Sequence, residues 1–341
     1  MLKKFFSVLI AVTLFSTIFS SETNKIDNRL LIESISDSVN QAFKSSLSQF
    51  IVDKGFSEAI VSIYKDGNKI IDECYGKCED QSKIYPIASV SKLFTEAAVN
   101  RLISEGKLAK ETRVIDFLDL KDELLDERVK EITVQQLLDH TGGWDRDLSD
   151  DPLFSFDTLP KEINSKKQLI KYVLTTTRLD HEPGEVESYS NFGYLLLGKV
   201  IEKASGEKYL DYINKNLAEP NQIHLYQACF GQNNAPNSLT NYFNLELSTA
   251  SFGLAANISD LCYYFTKVSR EGVKKDSVNQ TNETWWKDGS LPGSVTSLVK
   301  QLPNNIVIAL YIPGRNEESW MDDNELLNEI VDETAESLGL A

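Results

Sequence analysis

Strand-like segments stand near both ends of the chain, and a long, mostly helical stretch lies between them. The first is a predicted hairpin over residues 59–75 that turns at Asp66-Gly67, a dipeptide that suits a two-residue hairpin turn. Two further apolar runs, over residues 295–300 and 306–312, have the composition of strands. Strands at both ends that flank a helical insert indicate a single antiparallel sheet built from the two termini. We therefore predict an α+β fold, with helices packed on that sheet.

Periodic patterns place the remaining elements. Amphipathic spacing predicts a helix over residues 30–53 and a final acidic helix over residues 322–338. No low-complexity linker divides the chain, so we expect one domain over residues 25–341. Within it we assign a sheet part to residues 25–88 and 285–341. Residues 89–284 form a mostly helical part.

The N-terminus has the pattern of a secretory signal. Lys3 and Lys4 precede an apolar run over residues 5–19, and small polar residues follow at Ser20 and Ser21. This run is short for a membrane-spanning helix. We predict a signal peptide over residues 1–20 and a secreted, periplasmic or otherwise exported protein. An uncleaved anchor is the alternative, and only that alternative predicts contact with a membrane.

Export would place the four cysteines in an oxidising compartment, where they can pair. Three connectivities are possible for four cysteines. We predict bridges between Cys74 and Cys78 and between Cys229 and Cys262. Free buried thiols are the alternative.

Composition excludes several classes of function. The formal net charge is -16, from 35 basic and 51 acidic residues, so a nucleic acid or an anionic membrane would be repelled. The three histidines, His140, His181 and His224, lack the spacing of a zinc site. The chain also lacks a phosphate-binding glycine fingerprint and a G-x-S-x-G elbow. We expect no cofactor and no metal, and a small-molecule or peptide substrate.

Ser89 and Lys92 form the first of three polar clusters. Ser89 follows an extended segment and precedes an apolar-periodic stretch that reads as a helix. Its hydroxyl would lie at a helix N-terminus, where free backbone N–H groups favour an oxyanion, and Lys92 would lie one turn along the same face. The alternative is that Ser89 only caps the helix.

The second and third clusters follow after 100 and 98 residues. Tyr189 and Asn191 stand between a turn signal and an apolar helix, where Tyr189, with its pKa lowered by nearby lysines, could move a proton. The alternative is a helix cap beside a packed tyrosine. The third cluster is Lys287-Asp288-Gly289. Together the clusters supply a nucleophile, groups that activate it and a cation for developing negative charge, as acyl transfer requires.

These motifs resemble the β-lactamase-related serine hydrolases, which include class C β-lactamases, D-alanyl-D-alanine carboxypeptidases and esterases. The family pattern is S-x-x-K, Y-x-N and then K-T-G or H-x-G. The resemblance also covers residues 86–89, 132–144, 182–206 and 288–293. It implies the same α+β, β-lactamase/transpeptidase-like architecture, with the active site between the sheet and the helical part.

Carried over by position, the resemblance implies a role for each motif residue. Ser89 would be the acylated nucleophile and Lys92 and Tyr189 its proton-transfer partners, although the sequence does not decide which of the two is the base. Asn191 and Lys287 would bind the substrate, with Asp288 and Gly289 beside them. Backbone N–H groups of Ser89 and Ser290 would form the oxyanion hole. Apart from the resemblance, His140 lies at the end of a short apolar helix before Thr-Gly-Gly, where we expect a structural hydrogen bond, with catalysis as the alternative.

Asp288 departs from the family pattern, which usually has a small residue there. A second carboxylate beside Lys287 should repel a carboxylate on the substrate, with Arg315 as a compensating cation. We therefore expect a preference for uncharged esters or amides. The predicted function is that of an exported serine hydrolase acting through an acyl-enzyme; the alternative is a non-catalytic binding or scaffolding relative that keeps the fold.

Overall fold

The computed structural model of the protein describes residues 44–77, 83–120, 123–154, 158–229, 244–275 and 284–337. Within these ranges the strands are β1 (Glu58–Lys65), β2 (Asn68–Gly76), β3 (Tyr85–Pro86), β4 (Tyr226–Gln227), β5 (Leu254–Ala256), β6 (Trp285–Leu291), β7 (Val295–Leu302) and β8 (Ile306–Ile312). The α-helices are α1 (residues 44–53), α2 (Ser91–Ser104), α3 (Val134–Leu138), α4 (Lys166–Thr176), α5 (Asn191–Ser205), α6 (Tyr209–Ile213), α7 (Ile258–Lys267) and α8 (Trp320–Ser337).

Five strands form the main sheet, in the order β2-β1-β8-β7-β6, and every neighbouring pair is antiparallel. The β1–β2 hairpin turns at Asp66-Gly67, where both residues have positive φ, as a type I′ turn requires. The sheet unites strands from the two ends of the chain, and helices flank it. The prediction of an α+β fold with one antiparallel sheet is confirmed.

The main sheet is buried on both faces. All seven residues of β8 are buried; Ile308 and Leu310 face a cluster formed with α1 and α8, whereas Val307 and Ala309 face the larger cluster of the helical part. Each such aliphatic side chain contributes roughly 1.5–3 kcal/mol when it leaves water. This packing holds β6, the edge strand, against the helical part of the molecule.

The structure adds elements that the sequence patterns did not single out. The edge strand β6 carries the third polar cluster, and β3, β5 and β4 form a second, three-stranded sheet. The final helix begins at Trp320, two residues before its predicted start. Residues 1–43, with the predicted signal peptide and the first part of the predicted helix over 30–53, lie outside the described residues. No helix within the described ranges is long and apolar enough to cross a membrane.

The predicted bridge between Cys229 and Cys262 is wrong, because both residues are free thiols. Cys262 lies on the buried face of α7, where its Sγ is 3.3 Å from the carbonyl oxygen of Ser62 and 3.0 Å from that of Val307. Cys229 is exposed on a loop. Cys74 forms a disulfide bond, and Cys78, its predicted partner, lies outside the described residues.

Candidate active site

Ser89 lies in the short 3-10 turn Ala88–Val90 that leads from β3 into α2. Ala88 has a φ of 45°, in the left-handed region that costs a residue other than glycine roughly 1–3 kcal/mol. This turn places Ser89 at the N-terminal end of α2, as predicted. Its hydroxyl accepts a hydrogen bond from the Tyr189 hydroxyl at 2.8 Å.

Lys92 lies one turn further on and is 2% exposed. Its Nζ is 2.7 Å from Oδ1 of Asn191, 2.8 Å from the carbonyl oxygen of Ser251 and 3.4 Å from Oγ of Ser89. Burial, and secondarily the charge of Lys287, holds the pKa of Lys92 well below its usual value. Loss of the proton is therefore easier here than for an exposed lysine.

A neutral amine has two hydrogens and one lone pair. Two of the three contacts of Lys92 are with atoms that only accept, the Asn191 amide oxygen and the Ser251 carbonyl oxygen. With both hydrogens directed to those atoms, the lone pair is left for the Ser89 hydroxyl. This arrangement suits a general base better than a purely structural ion.

Asp151 fixes the orientation of Asn191, the first residue of α5. The Asn191 side-chain Nδ2 donates to Oδ2 of Asp151 at 2.9 Å, and its backbone N–H donates to the same oxygen at 3.2 Å. With Nδ2 held in this way, Oδ1 faces Lys92. The sequence analysis missed Asp151 and Ser251, because only the tertiary structure separates them from other polar loop residues.

Tyr189 lies among three basic side chains. Its ring centroid is 4.7 Å from Nζ of Lys92, 5.2 Å from Nζ of Lys287 and 4.9 Å from Cζ of Arg146, distances at which such a group is attracted to the ring when it is protonated. The expected lowering of its pKa is wrong, because burial raises the pKa of Tyr189. Tyr189 is thus held as a neutral phenol that donates to Ser89.

Lys287 lies on β6, and its half-buried ammonium group faces the Tyr189 ring. It has neither a hydrogen-bond acceptor nor an ion-pair partner within the part of the chain that the structure describes. Burial lowers the pKa of Lys287, while the neighbouring carboxylate of Asp288 favours its charged form. This cation is available to a negative charge that develops near Ser89.

Asp288 points to the other face of β6, because successive side chains of a strand alternate. Its Oδ2 accepts a hydrogen bond of 2.9 Å from Nδ2 of Asn324 on α8. Asp288 nevertheless lies at the border of the cleft, and its negative charge acts on Lys287 from the opposite face of the strand. Arg315, the expected compensating cation, pairs with Glu317 instead and lies 3.5 Å from Oγ of Ser290.

Gly289 lets the edge strand approach Ser89. A Cβ atom at this position would stand 2.5 Å from the carbonyl oxygen of Ile87 and 2.8 Å from the backbone nitrogen of Ser89. The hydroxyl of Ser297 on β7 joins the same region by donating to the Ile87 carbonyl oxygen at 2.9 Å. Gly289 is therefore needed for close contact between two backbones, and Ser290 follows it at the site.

We expect Gly289→Ala to lower kcat/KM for any ester substrate at least about tenfold, because the added methyl group separates β6 from the turn that holds Ser89. Gly193→Ala is the matched control, since its Cβ would meet only ordinary contacts of 3.5 Å or more. Steady-state kinetics on both variants checks the effect. Equal activity in the two variants would show that this close contact is not needed.

His140 has a structural role, as expected. Its Nδ1 accepts the backbone N–H of Ser190 at 3.2 Å, and its ring lies against Tyr189 and Tyr194 with centroid distances of 4.5 and 5.0 Å. Burial lowers the pKa of His140 to about 3. The neutral imidazole thus supports the Tyr189 ring from behind.

The cluster opens into a cleft of about 510 Å³. Its walls come from the motif residues and from side chains that the sequence analysis did not select, namely Arg146, Asp150, Phe154, Pro292 and Trp320. All the predicted site residues thus lie at or beside one cleft between the main sheet and the helical part. No group of acidic, histidine or cysteine side chains in the described ranges is arranged to hold a metal ion.

Comparisons with known proteins agree with this geometry. The family model named Beta-lactamase matches residues 43–290. A putative fimbrial assembly protein FimD, serogroup D, of Dichelobacter nodosus is 39% identical over 122 residues, which are 36% of this chain and 29% of that protein. The chain therefore spans less than a third of that relative.

Two solved structures share the fold. The β-lactamase/D-alanine carboxypeptidase from Yersinia pestis, complexed with citrate, has a TM-score of 0.67 at 15% identity and covers 90% of this chain and 99% of its own. A D-stereospecific amidohydrolase from a Streptomyces species has a TM-score of 0.64 at 19% identity and covers 83% of this chain and 98% of its own. With the family model matched over most of its length, the chain belongs to the β-lactamase family.

Proposed function

We propose that this protein is an exported serine hydrolase that cleaves an ester, amide or peptide bond through an acyl-enzyme on Ser89. One observation carries the proposal: the Ser89 hydroxyl lies between a buried lysine amine and a neutral tyrosine hydroxyl. The amine is held by two acceptors, which leaves its lone pair for the serine proton. A nucleophile with an adjacent, oriented base is what acyl transfer requires.

In the first step, Oγ of Ser89 forms a bond to the substrate carbonyl carbon while its proton passes to Nζ of Lys92. The carbonyl π electrons move to the oxygen, which becomes an oxyanion. Backbone N–H groups of Ser89 and Ser290 are the proposed donors to that oxyanion, and the N-terminal end of α2 favours its charge. The ammonium group of Lys287 adds a positive charge on the same side of Tyr189.

In the second step, the carbonyl re-forms and the bond to the leaving group breaks. The Tyr189 hydroxyl supplies a proton to the leaving alcohol or amine, and the proton held on Lys92 passes through a water molecule to restore the phenol. A water molecule then attacks the acyl-enzyme with the same groups in reversed roles. The balance of the cycle is one water consumed and one bond hydrolysed.

Two observations support export. The first 20 residues have a charged start and an apolar run, the pattern of a signal peptide. Cys74 forms a disulfide bond, and such bonds persist in oxidising compartments outside the cytosol. Fractionation of the native host, with immunodetection of the mature chain, tests this part of the proposal.

Hydrolysis of a substrate panel tests the enzymatic part. The purified chain is assayed with a neutral p-nitrophenyl ester, a D-amino acid amide and a penicillin, beside Ser89→Ala as background. We expect turnover of at least one compound above that background. A wild-type chain that matches the background on every compound would favour the non-catalytic alternative.

The pH dependence tests Lys92 as the base. The charge of Lys287 disfavours the protonated form of Lys92, so Lys287→Met should raise the pKa of Lys92. The acid limb of the kcat/KM profile should then move to higher pH, because Lys92 stays protonated, and so cannot act as a base, up to a higher pH. Profiles for wild type and Lys287→Met with a neutral ester make the comparison.

Asp151→Asn is the matched variant with the opposite sign. The charge of Asp151 favours the protonated form of Lys92, so its neutralisation should move the acid limb to lower pH. An unchanged limb in both variants, or shifts in the reverse directions, would contradict the assignment of Lys92 as the base.

Asp288 underlies the proposed preference for uncharged substrates. Asp288 borders the cleft and its charge partly offsets that of Lys287, so Asp288→Thr should shift the ratio of kcat/KM toward a carboxylate-bearing analogue of a neutral ester by roughly tenfold. The two substrates are compared in both proteins. A wild-type preference for the carboxylate analogue, or an unchanged ratio in Asp288→Thr, would show that Asp288 does not act on the substrate.

A further inference from the structure

A second, smaller pocket adjoins Tyr189. It has a volume of about 220 Å³ and is bounded by the loop over residues 144–152, the C-terminal half of α4 and the start of α5. This volume is smaller than a typical site for a whole ligand, which spans roughly 300–1,000 Å³. The pocket is therefore suited to a part of a larger molecule.

The pocket and the cleft that contains Ser89 share a wall. Arg146, Asp150, Asp151 and Tyr189 line both. Tyr189 donates its hydroxyl hydrogen bond to Ser89 on the cleft side. The two cavities are therefore neighbours, with Tyr189 between them.

The inner wall of the pocket is mostly apolar, although Trp144 Nε1 has no hydrogen-bond partner among the described residues, and Asp151, Thr158, Thr177 and Ser190 add polar groups around the pocket. Trp144 and Phe192 are 7% and 1% exposed, and their rings meet edge to face at a centroid distance of 5.0 Å. Val173 of α4 is 2% exposed and belongs to the same core cluster. Leu159 and Tyr172 complete this wall and pack on that cluster. Such an apolar wall favours an apolar group over a hydrated one.

The outer part of the pocket is polar. Arg146 and Asp150 are exposed there, and the Arg146 guanidinium stacks on the Tyr189 ring without an ion-pair partner among the described residues. Polar groups at the opening leave the apolar inner wall as the part that can take a hydrocarbon chain or ring.

We propose that this pocket is a substrate subsite that binds one apolar side chain of the ester or amide, a short alkyl chain or a phenyl ring. The inference rests on the proposed serine hydrolase function and adds the chemistry of the group next to the scissile bond. That group belongs either to the acyl part or to the leaving part of the substrate. Substrates that vary one part at a time distinguish these two cases.

Two substrate series test the subsite in the wild-type protein. One series lengthens the acyl chain from p-nitrophenyl acetate to butyrate and hexanoate; the other keeps an acetyl group and lengthens the alcohol from methyl to butyl. We expect kcat/KM to rise by roughly tenfold for two added methylene groups in one series. A kcat/KM that does not change with chain length in either series would overturn the subsite. No turnover above that of Ser89→Ala with any of these substrates would overturn the hydrolase proposal itself.

Variants of the pocket wall provide the second measurement. Thr177→Trp places a large ring in the pocket and should reduce the kcat/KM preference for the longer substrate chain at least about fivefold. Val173→Ala enlarges the pocket, so the highest kcat/KM should move to a longer substrate chain. Thr176→Trp is the matched control, because Thr176 is exposed and does not line the pocket. Chain-length preferences that change equally in Thr176→Trp and Thr177→Trp, or do not change in Val173→Ala, would overturn the proposal.

Discussion

Ser89→Ala should lower kcat/KM for every hydrolysed ester by at least about a thousandfold. The reason is local: no other hydroxyl group is placed against both Nζ of Lys92 and the Tyr189 hydroxyl among the described residues. Residual turnover would come only from water activated in the same cleft. Steady-state kinetics over a range of enzyme concentrations measures the loss.

The fold should survive this change. Ser89 is half-buried beside an open cleft, and water can accept the hydrogen bond that Tyr189 donates, so we expect the free energy of unfolding to fall by no more than about 1 kcal/mol. Urea unfolding followed by circular dichroism provides the control. A folded Ser89→Ala that keeps more than a tenth of the wild-type activity would show that Ser89 is not the nucleophile.

Lys92→Met should cause a loss of similar size. Methionine fills a comparable space but cannot take the serine proton, and removal of a general base costs typically two to four orders of magnitude, on the order of a thousandfold here. Because Ser89 and Lys92 act in one step, the double variant should be no less active than Ser89→Ala alone. Kinetics on the two single variants and the double variant measures this non-additivity.

Lys300→Met separates this effect from the general consequences of removing a buried lysine. Lys300 is 2% exposed on β7, contacts Asn328 and Asp332 on α8, and does not line the cleft. We expect it to lower the midpoint of thermal unfolding and to leave kcat/KM near the wild-type value. If Lys92→Met retained activity within tenfold of wild type, the base would have to be sought at Tyr189.

The parts of the fold that local sequence determines were predictable. Asp66-Gly67 marks a hairpin because both residues accept a positive φ, and the apolar run in β8 marks a strand buried on both faces. The edge strand β6 was harder to find. Its sequence, WWKDGSL, places polar residues at its centre, because this strand forms one wall of the cleft.

The residues of the candidate site also divide into those that a local sequence pattern predicts and those that it does not. Ser89, Lys92, Tyr189 and Asn191 each stand at a helix N-terminus with a recognisable local pattern. Asp151 has no such pattern, and its role depends on a contact with Asn191 across 40 residues. A contact of this kind is a property of the tertiary structure.

Burial explains the wrong prediction for the Tyr189 pKa. The expected lowering of the Tyr189 pKa considered nearby charges alone, whereas desolvation is the larger effect and acts in the opposite direction. The predicted Cys229–Cys262 bridge is wrong for another reason: Cys229 lies on an exposed loop, whereas Cys262 lies inside the fold against Ser62 and Val307 of the main sheet. Neither the burial of Tyr189 nor the placement of these two cysteines can be read from spacing along the chain.

Trapping of the acyl-enzyme tests the central claim most directly. Wild type and Ser89→Ala are treated with a fluorophosphonate and, separately, quenched in acid during turnover of a neutral ester, and both are then analysed by intact mass spectrometry and peptide mapping. We predict one added group per wild-type chain, on the peptide that contains Ser89, and none in Ser89→Ala. Turnover without a covalent adduct, or an adduct at another residue that persists in Ser89→Ala, would contradict the proposed mechanism.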